Sequence, residues 1–324
     1  MKQVAFTAHR QAEVVDLPDL TDPLNPGDIR GRTVISLTSP GTELNWGFLG
    51  KEHFPGYPGY ASVFRVDEVA SDVTDIAPGT LVYASGRHRD TQQVRRADAV
   101  PLPAGLAPEA AVFARLMGVS MSTLTTTTAR PPARVLITGL GPVGNLAAQI
   151  FSTCGYRVTA VDPVESRRES ARKMGLADVR PSLEATGGAP EIVGQIALHV
   201  ECSGHEQAVL DGCKAVGKRG EVVMVGVPWR KRTDLAAFDI LHAVFHKYAV
   251  LRSGWEWEVP GHPTDFRPNS LIENYRAAIE WIASGRINLE GMASCYAPSE
   301  AQKVYSGLLD QSLPTPAALF DWRS

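Results

Sequence analysis

From Met1 to about Leu116 apolar residues come in short runs broken by proline and glycine. Examples are Thr33–Leu37 (TVISL), Ala61–Val66 (ASVFRV) and Thr80–Ala84 (TLVYA), bounded by turn residues such as Asn25-Pro26-Gly27 and Ala77-Pro78-Gly79. Short strands at this spacing predict a β module with irregular loops. After Pro108 the period lengthens. Glu109–Leu124 reads as helix, the threonines Thr125–Thr128 with Pro131-Pro132 read as a polar connector, and Arg134–Leu140 (RVLITGL) shows no alternation that would mark a wet face. A strand of that kind is buried on both sides, as in a parallel sheet. Helical spacing follows in Pro142–Cys154 (Val143, Leu146, Ala147, Ile150, Phe151), then a second buried strand at Tyr156–Val161 and a helix over Glu165–Met174. Further apolar strands are predicted at Ile196–Val200 and Glu221–Val225. Strand and helix alternating in this way predict an α/β fold with a doubly wound parallel sheet. Beyond the aromatic segment GWEWEVPGHPTDF, a helix is expected over Ser270–Ser284, capped at Asn269-Ser270 and stopped at Gly285.

The first of these strands runs into Gly139-Leu140-Gly141-Pro142-Val143-Gly144, a G-x-G-x-x-G that opens a helix. Alone the pattern says little, but a second strand follows and ends in Asp162. Gly139 permits the tight turn, Gly141 leaves room for a pyrophosphate, and Gly144 lets the helix approach the strand. The helix start, with Pro142 and Val143, offers free N–H groups and partial positive charge to phosphates. Asp162 is placed to accept from both hydroxyls of an adenosine ribose and would repel a 2′-phosphate, which favours NAD over NADP. Arg167 and Arg168 pull the other way, since an arginine there can pair with that phosphate. Arg167 could equally stack on adenine.

Composition narrows the classes. The chain has 324 residues, 44% of them hydrophobic, enough for one large or two ordinary packed domains. Its net charge of −3, with both signs mixed, gives no electrostatic reason to bind nucleic acid. Cys154, Cys202, Cys213 and Cys295 lie too far apart for a zinc knuckle and are too few for a disulfide scaffold. No run is long and apolar enough for a membrane span, and the N-terminus lacks a secretory core, so a cytoplasmic location is expected. His242 and His246 stand four apart with no third ligand near in sequence, and are read as surface or packing residues.

The chain resembles the medium-chain dehydrogenase/reductases over nearly its whole length. The resemblance is carried by SPGTE at Ser39–Glu43, PGYASV at Pro58–Val63, APGTLVY at Ala77–Tyr83, TGLGPVG with VDPVESR, ECSG at Glu201–Gly204, GEVVMVG at Gly220–Gly226 and IASGRINLEG at Ile282–Gly291. Some pieces, with the ending Asp321-Trp322-Arg323, are also similar to the bacteriochlorophyllide dehydrogenase subgroup. The resemblance implies a GroES-like β domain over residues 1–118 and a Rossmann domain over 119–254. A C-terminal segment, 255–324, is expected to return to the first domain. Ser203 and Gly226 join the expected cofactor contacts. The departures are as informative. Aligned on the family's zinc-ligand motifs, the cysteine position holds Pro40, the histidine position holds Tyr60 with Ala61 after it, and the third ligand falls near Leu116-Met117. Proline cannot bind a metal, and phenol and thioether are poor ligands for Zn²⁺, so no zinc is expected at this site or in a structural lobe.

Without zinc, a hydrogen-bond donor must stabilise the charge that hydride transfer builds on oxygen. The resemblance places Thr42 at the relay hydroxyl and Tyr60 at the vacated ligand position, with burial holding the phenol protonated. His88, in GRHRD, falls in a loop that lines the cleft in many family members; it is expected either to assist proton transfer or to sit exposed in solvent. Glu43 occupies a supporting position near substrate, and Trp255 and Trp257 are read as substrate contacts or as part of a dimer interface. Tyr248–Leu251 is a candidate edge for pairing two copies into a homodimer. The expected function is a zinc-independent NAD(H)-linked oxidoreductase that interconverts a secondary alcohol and a ketone. Its substrate is a small molecule, fairly large for the class and cyclic or polyol in character. Two alternatives stay open: an NADPH-dependent quinone or enoyl reductase, and a non-catalytic cofactor-binding protein.

Overall fold

The computed structural model describes residues 1–183 and 192–323. In chain order, β1 (Lys2–Ala8), β2 (Gln11–Asp16) and β3 (Asp28–Leu37) lead to a one-turn helix α1 (Pro40–Glu43). Then come β4 (Ser62–Val69), β5 (Leu81–Ala84), β6 (Thr91–Arg95), β7 (Val100–Pro101) and α2 (Pro108–Ala111). The middle of the chain holds α3 (Ala114–Thr126), β8 (Arg134–Thr138), α4 (Pro142–Thr153), β9 (Arg157–Val161), α5 (Glu165–Lys173) and β10 (Val179–Arg180). It continues with β11 (Ile196–Glu201), α6 (Glu206–Ala215), β12 (Val216–Met224), α7 (Ala237–Lys247) and β13 (Val250–Ser253). Last are α8 (Leu271–Ala283), β14 (Ala293–Tyr296), α9 (Ala301–Asp310) and β15 (Ala317–Asp321).

The chain divides into two compact units: residues 1–115, 275–285 and 289–324 form the first, and residues 116–274 and 286–288 the second. The segment with Trp255 and Trp257 therefore belongs to the second unit.

In the first unit, the described residues form a mixed sheet of order β14-β15-β3-β4-β5-β7, with β6 also pairing β3. Its antiparallel pairs set Phe64 opposite Val82, and these two meet in a core with Ile29, Val66, Ile76 and Ala99, while the neighbouring pair Ile35–Val63 is buried on the opposite face. The β1–β2 hairpin packs through Phe6 on Phe48, Tyr305 and Phe320. Tyr305 meets Phe6 edge-on with ring centroids 4.7 Å apart and stacks on Phe48 at 5.6 Å. The C-terminus thus supplies β15, which lies between β14 and β3.

In the second unit, the described strands are all parallel, in the order β10-β9-β8-β11-β12-β13. Along β8, Val135 and Ile137 point to a layer with Ala147 and Phe151 of α4, whereas Leu136 points to one with Leu210 and Cys213 of α6. Both faces are covered, so the strand needed no wet face, and the doubly wound Rossmann arrangement read from the sequence is the one observed. One expected element divides. The helix expected over Glu109–Leu124 breaks at Val112-Phe113, where the chain turns so that both side chains are buried. The threonine run does more than connect. The Glu221 carboxylate accepts from Thr127 Oγ1 (3.0 Å), from the Thr128 amide (2.6 Å) and from the Thr128 hydroxyl, and faces Arg252 at 3.4 Å. No described helix is long and apolar enough to cross a membrane.

Candidate active site

In the second unit, register brings the dinucleotide motif to one sheet edge. Thr138 pairs with Val161 on one side and Glu201 on the other, so Gly139, Asp162 and Cys202 all emerge at the C-terminal ends of β8, β9 and β11. Strand order reverses direction from β8 to β11, the place where parallel α/β sheets bind ligands. Gly139 sits at φ +82°, a left-handed conformation that favours glycine, and a side chain there would strike Ser203. A Cβ on Gly144 would collide with the Gly139 carbonyl, whereas one on Gly141 would meet nothing within 4 Å. That open space, at the cap of the twelve-residue α4 with Pro142 and Val143 in its first turn, fits a pyrophosphate approaching backbone N–H groups.

Asp162 is buried. Its Oδ2 accepts from the Leu140 amide at 2.7 Å and its Oδ1 from the Val164 amide at 2.8 Å, while the Arg167 guanidinium stands 3.5 Å from Oδ2. The carboxylate thus pins the glycine turn. Glu201 performs a similar task. It accepts from the Ser203 amide (2.6 Å), the Ser203 hydroxyl and the Gly204 amide (3.0 Å), and burial pushes its carboxyl above the usual range against those bonds. Gly226 lies beside Gly204, its amide on the Glu201 carbonyl at 2.7 Å.

In the first unit the residues from α1 gather a polar cluster. Tyr60 is half-buried and donates to the Ser39 hydroxyl. Burial raises its phenol above the ordinary value, as does the Glu43 charge, while Arg115 and hydrogen bonding to Ser39 and Thr42 oppose the rise. The Arg115 guanidinium lies over the Tyr60 ring, 4.5 Å from its centroid, and 6.0 Å from that of Tyr275. Glu43 is buried. It takes hydrogen bonds from the Ser39 amide (3.0 Å) and from Tyr305 (2.6 Å), and its Oε2 is 3.2 Å from His88 Nε2. A carboxylate only accepts, so Nε2 carries the hydrogen, and Nδ1 faces the Ser36 hydroxyl at 2.8 Å, which also accepts from the Trp322 indole at 2.9 Å.

One expectation is corrected here. His88 is not a solvent-exposed loop residue: it is fully buried, edge-on to Phe320, and its two ring nitrogens are taken up by Glu43 and Ser36. Buried Glu43 requires donors, and His88 is one. Thr42 lies half-buried beside this cluster. Trp255 and Trp257 are exposed while Glu256 between them is buried, so both rings are available to a ligand or to another chain. Arg115, Ser39 and Tyr305 escaped the sequence reading. Arg115 had a legible signal, a lone cation in the apolar run AVFARLM; Tyr305 had none, because it comes from 262 positions beyond its partner Glu43. His242 and His246 lie exposed on α7, ring centroids 4.2 Å apart.

The residues aligned with zinc ligands do not fit that ion. Pro40 opens α1 and has no donor atom on its side chain, buried Leu116 has none and buried Met117 only a thioether, and a guanidinium faces Tyr60. Among the described residues, no group of three or more His, Cys, Asp or Glu side chains could hold a metal.

A family model described as "Zinc-binding dehydrogenase" matches residues 142–258. The alcohol dehydrogenase notN of Aspergillus sp. (strain MF297-2) is 26% identical over 74% of this chain and 82% of its own length. The 2-dehydro-3-deoxy-L-galactonate 5-dehydrogenase of Pseudoalteromonas atlantica is 26% identical over 61% of this chain and 53% of its own. Among solved structures, galactitol-1-phosphate dehydrogenase from Escherichia coli matches with a TM-score of 0.82 at 18% identity, covering 99% of this chain and 100% of that one.

Proposed function

Starting from a chain that belongs to the medium-chain dehydrogenase/reductase superfamily, we propose an NAD(H)-dependent alcohol dehydrogenase in which side chains, not zinc, polarise the reacting oxygen. The observation that carries this reading is the Tyr60 phenol, hydrogen-bonded to Ser39 at the position where the superfamily's ligand histidine is expected. Bound dinucleotide supplies the hydride. Gly139, Gly141 and the first turn of α4 would hold its pyrophosphate, with Gly144 letting that helix approach the strand, Asp162 would face its ribose, and Ser203 and Gly226 would line the neighbouring edge. Asp162 supports NAD over NADP, because a 2′-phosphate would meet a buried carboxylate whose nearest cation, Arg167, is already drawn to it.

In carbonyl reduction Tyr60 donates its proton to the developing alkoxide. In alcohol oxidation its phenolate takes the proton back, and Thr42 and Ser39 pass it toward solvent. Burial favours the protonated phenol, which suits the reductive role at neutral pH. The Glu43–His88–Tyr305 cluster fixes the α1 backbone that presents Ser39 and Thr42. Relatives named for a deoxygalactonate and a galactitol phosphate support a polyol-type substrate carrying a secondary alcohol. The exposed Phe238, Leu241 and Phe245 on α7 and the edge of β13, unpaired among the described residues, support a homodimer.

The test is turnover of purified protein on polyols, sugar acids and cyclic secondary alcohols with NAD, followed by NADH absorbance, together with metal analysis. Stoichiometric zinc whose removal abolishes activity would overturn the metal-free reading. Turnover confined to NADPH with quinones or enones would replace the alcohol reading with enoyl or quinone reduction.

A further inference from the structure

We propose that Arg115 is the positioning residue of this site, its fixed guanidinium charge standing in for a metal by stabilising the phenolate form of Tyr60. The inference rests on the reading of Tyr60 as the proton donor. Arg115 is buried in the run Val112-Phe113-Ala114-Arg115-Leu116-Met117, whose other members are all buried and apolar. Placing a permanently charged group there costs desolvation, which is recovered only where the charge does something specific. Its guanidinium lies across the face of Tyr60 at 4.5 Å and near Tyr275 at 6.0 Å, an arrangement that holds the cation against the ring whose hydroxyl is held by Ser39.

The chemistry requires a cation at this point. When the Tyr60 O–H bond breaks and a substrate O–H bond forms, the negative charge that hydride addition placed on the substrate oxygen ends on the phenolate. A neutral, half-buried surrounding would resist that charge. The titratable and charged groups facing Tyr60 are Arg115 on α3, Glu43 on α1, Tyr83 on β5 and Tyr305 on α9. Among these Arg115 alone favours the ionised phenol; Glu43 opposes it.

The experiment compares Arg115→Met, Arg115→Lys and Tyr60→Phe. Two readouts are used: the pH dependence of alcohol oxidation, and the near-ultraviolet titration of tyrosinate, in which the Tyr60→Phe difference isolates Tyr60. With Arg115→Met the Tyr60 titration and the rising limb of kcat move to higher pH. Turnover at neutral pH falls about tenfold or more, while KM for NAD is unchanged. Arg115→Lys, which keeps the charge, holds the limb near that of the parent. An Arg115→Met protein with the parent's titration and limb overturns the inference, even if its turnover is lower. Should Arg115→Met fail to fold, Arg115→Ala assayed with and without dilute guanidinium decides: rescue of kcat supports the inference and its absence overturns it. Parental turnover in Tyr60→Phe would instead sink the reading of Tyr60 itself.

Discussion

Tyr60 departs from an ordinary phenol through its surroundings, and those set the direction of its pH dependence. Burial leads, and the folded group keeps its proton to higher pH than a free tyrosine. In the proposed mechanism ketone reduction spends that proton, so it should hold level through neutral pH and fail only on the alkaline side. Alcohol oxidation, which needs the phenolate, should climb over the same range. Opposite limbs at the same pH in the two directions are the expected outcome of steady-state rate profiles. Tyr60→Phe keeps the ring under Arg115 but loses the hydroxyl, so kcat should drop about 100-fold or more in both directions while far-ultraviolet circular dichroism stays unchanged. Glu43 presents the converse case, a buried carboxylate whose partners are structural. His88→Ala leaves Glu43 and Ser36 without their shared ring and should destabilise the first unit by about 3 kcal/mol, read from urea unfolding.

At the scale of single elements, the glycine turn separates two roles that look identical in sequence. Gly141→Val puts its side chain into open space, so thermal stability should hold while NADH affinity, measured by tryptophan fluorescence, falls. Gly144→Ala drives a methyl into the Gly139 carbonyl, and should cost about 1–3 kcal/mol whether or not dinucleotide is present. This edge was legible because each of its parts is local: strand, turn and helix follow one another within a few residues, and Asp162 ends the next strand. The polar cluster of the first unit was legible only in part. Thr42, Glu43 and Tyr60 stand in motifs close to α1, but His88, Tyr305 and Trp322 join them across strands whose pairing no local pattern declares. The same holds for His199 on β11, which gave no signal. It is fully buried, its Nε2 2.8 Å from the Thr138 hydroxyl, and burial lowers its pKa from 6.5 to about 3. An unfolded chain would bind that proton first. Stability should therefore fall by up to about 1.4 kcal/mol per pH unit as pH drops from 6.5 toward 3, and His199→Gln should flatten that limb of the denaturation curve.

Over the whole molecule, the exposed apolar face of α7 and the edge of β13, which pairs with β12 alone among the described strands, are costly for an isolated chain in water. Leu241→Asp, placed in the middle of that face, should convert the proposed dimer to monomers in sedimentation velocity runs and leave the secondary structure intact. The first unit raises a different matter. Its sheet is closed by β15, whose neighbours along the chain are hundreds of residues from β3, and the hydroxyl that completes the Glu43 cluster belongs to α9. While such a chain is being made on a ribosome, the Rossmann unit has all its strands in hand long before the other does. The opening 115 residues must wait with an unfinished sheet, exposed to chaperones and proteases, until Phe320 emerges from the exit tunnel. A polypeptide cut short before residue 317 should therefore keep the parallel sheet of the second unit while lacking the strand that pairs with β3 in the first, a difference that limited proteolysis of the truncated chain would read.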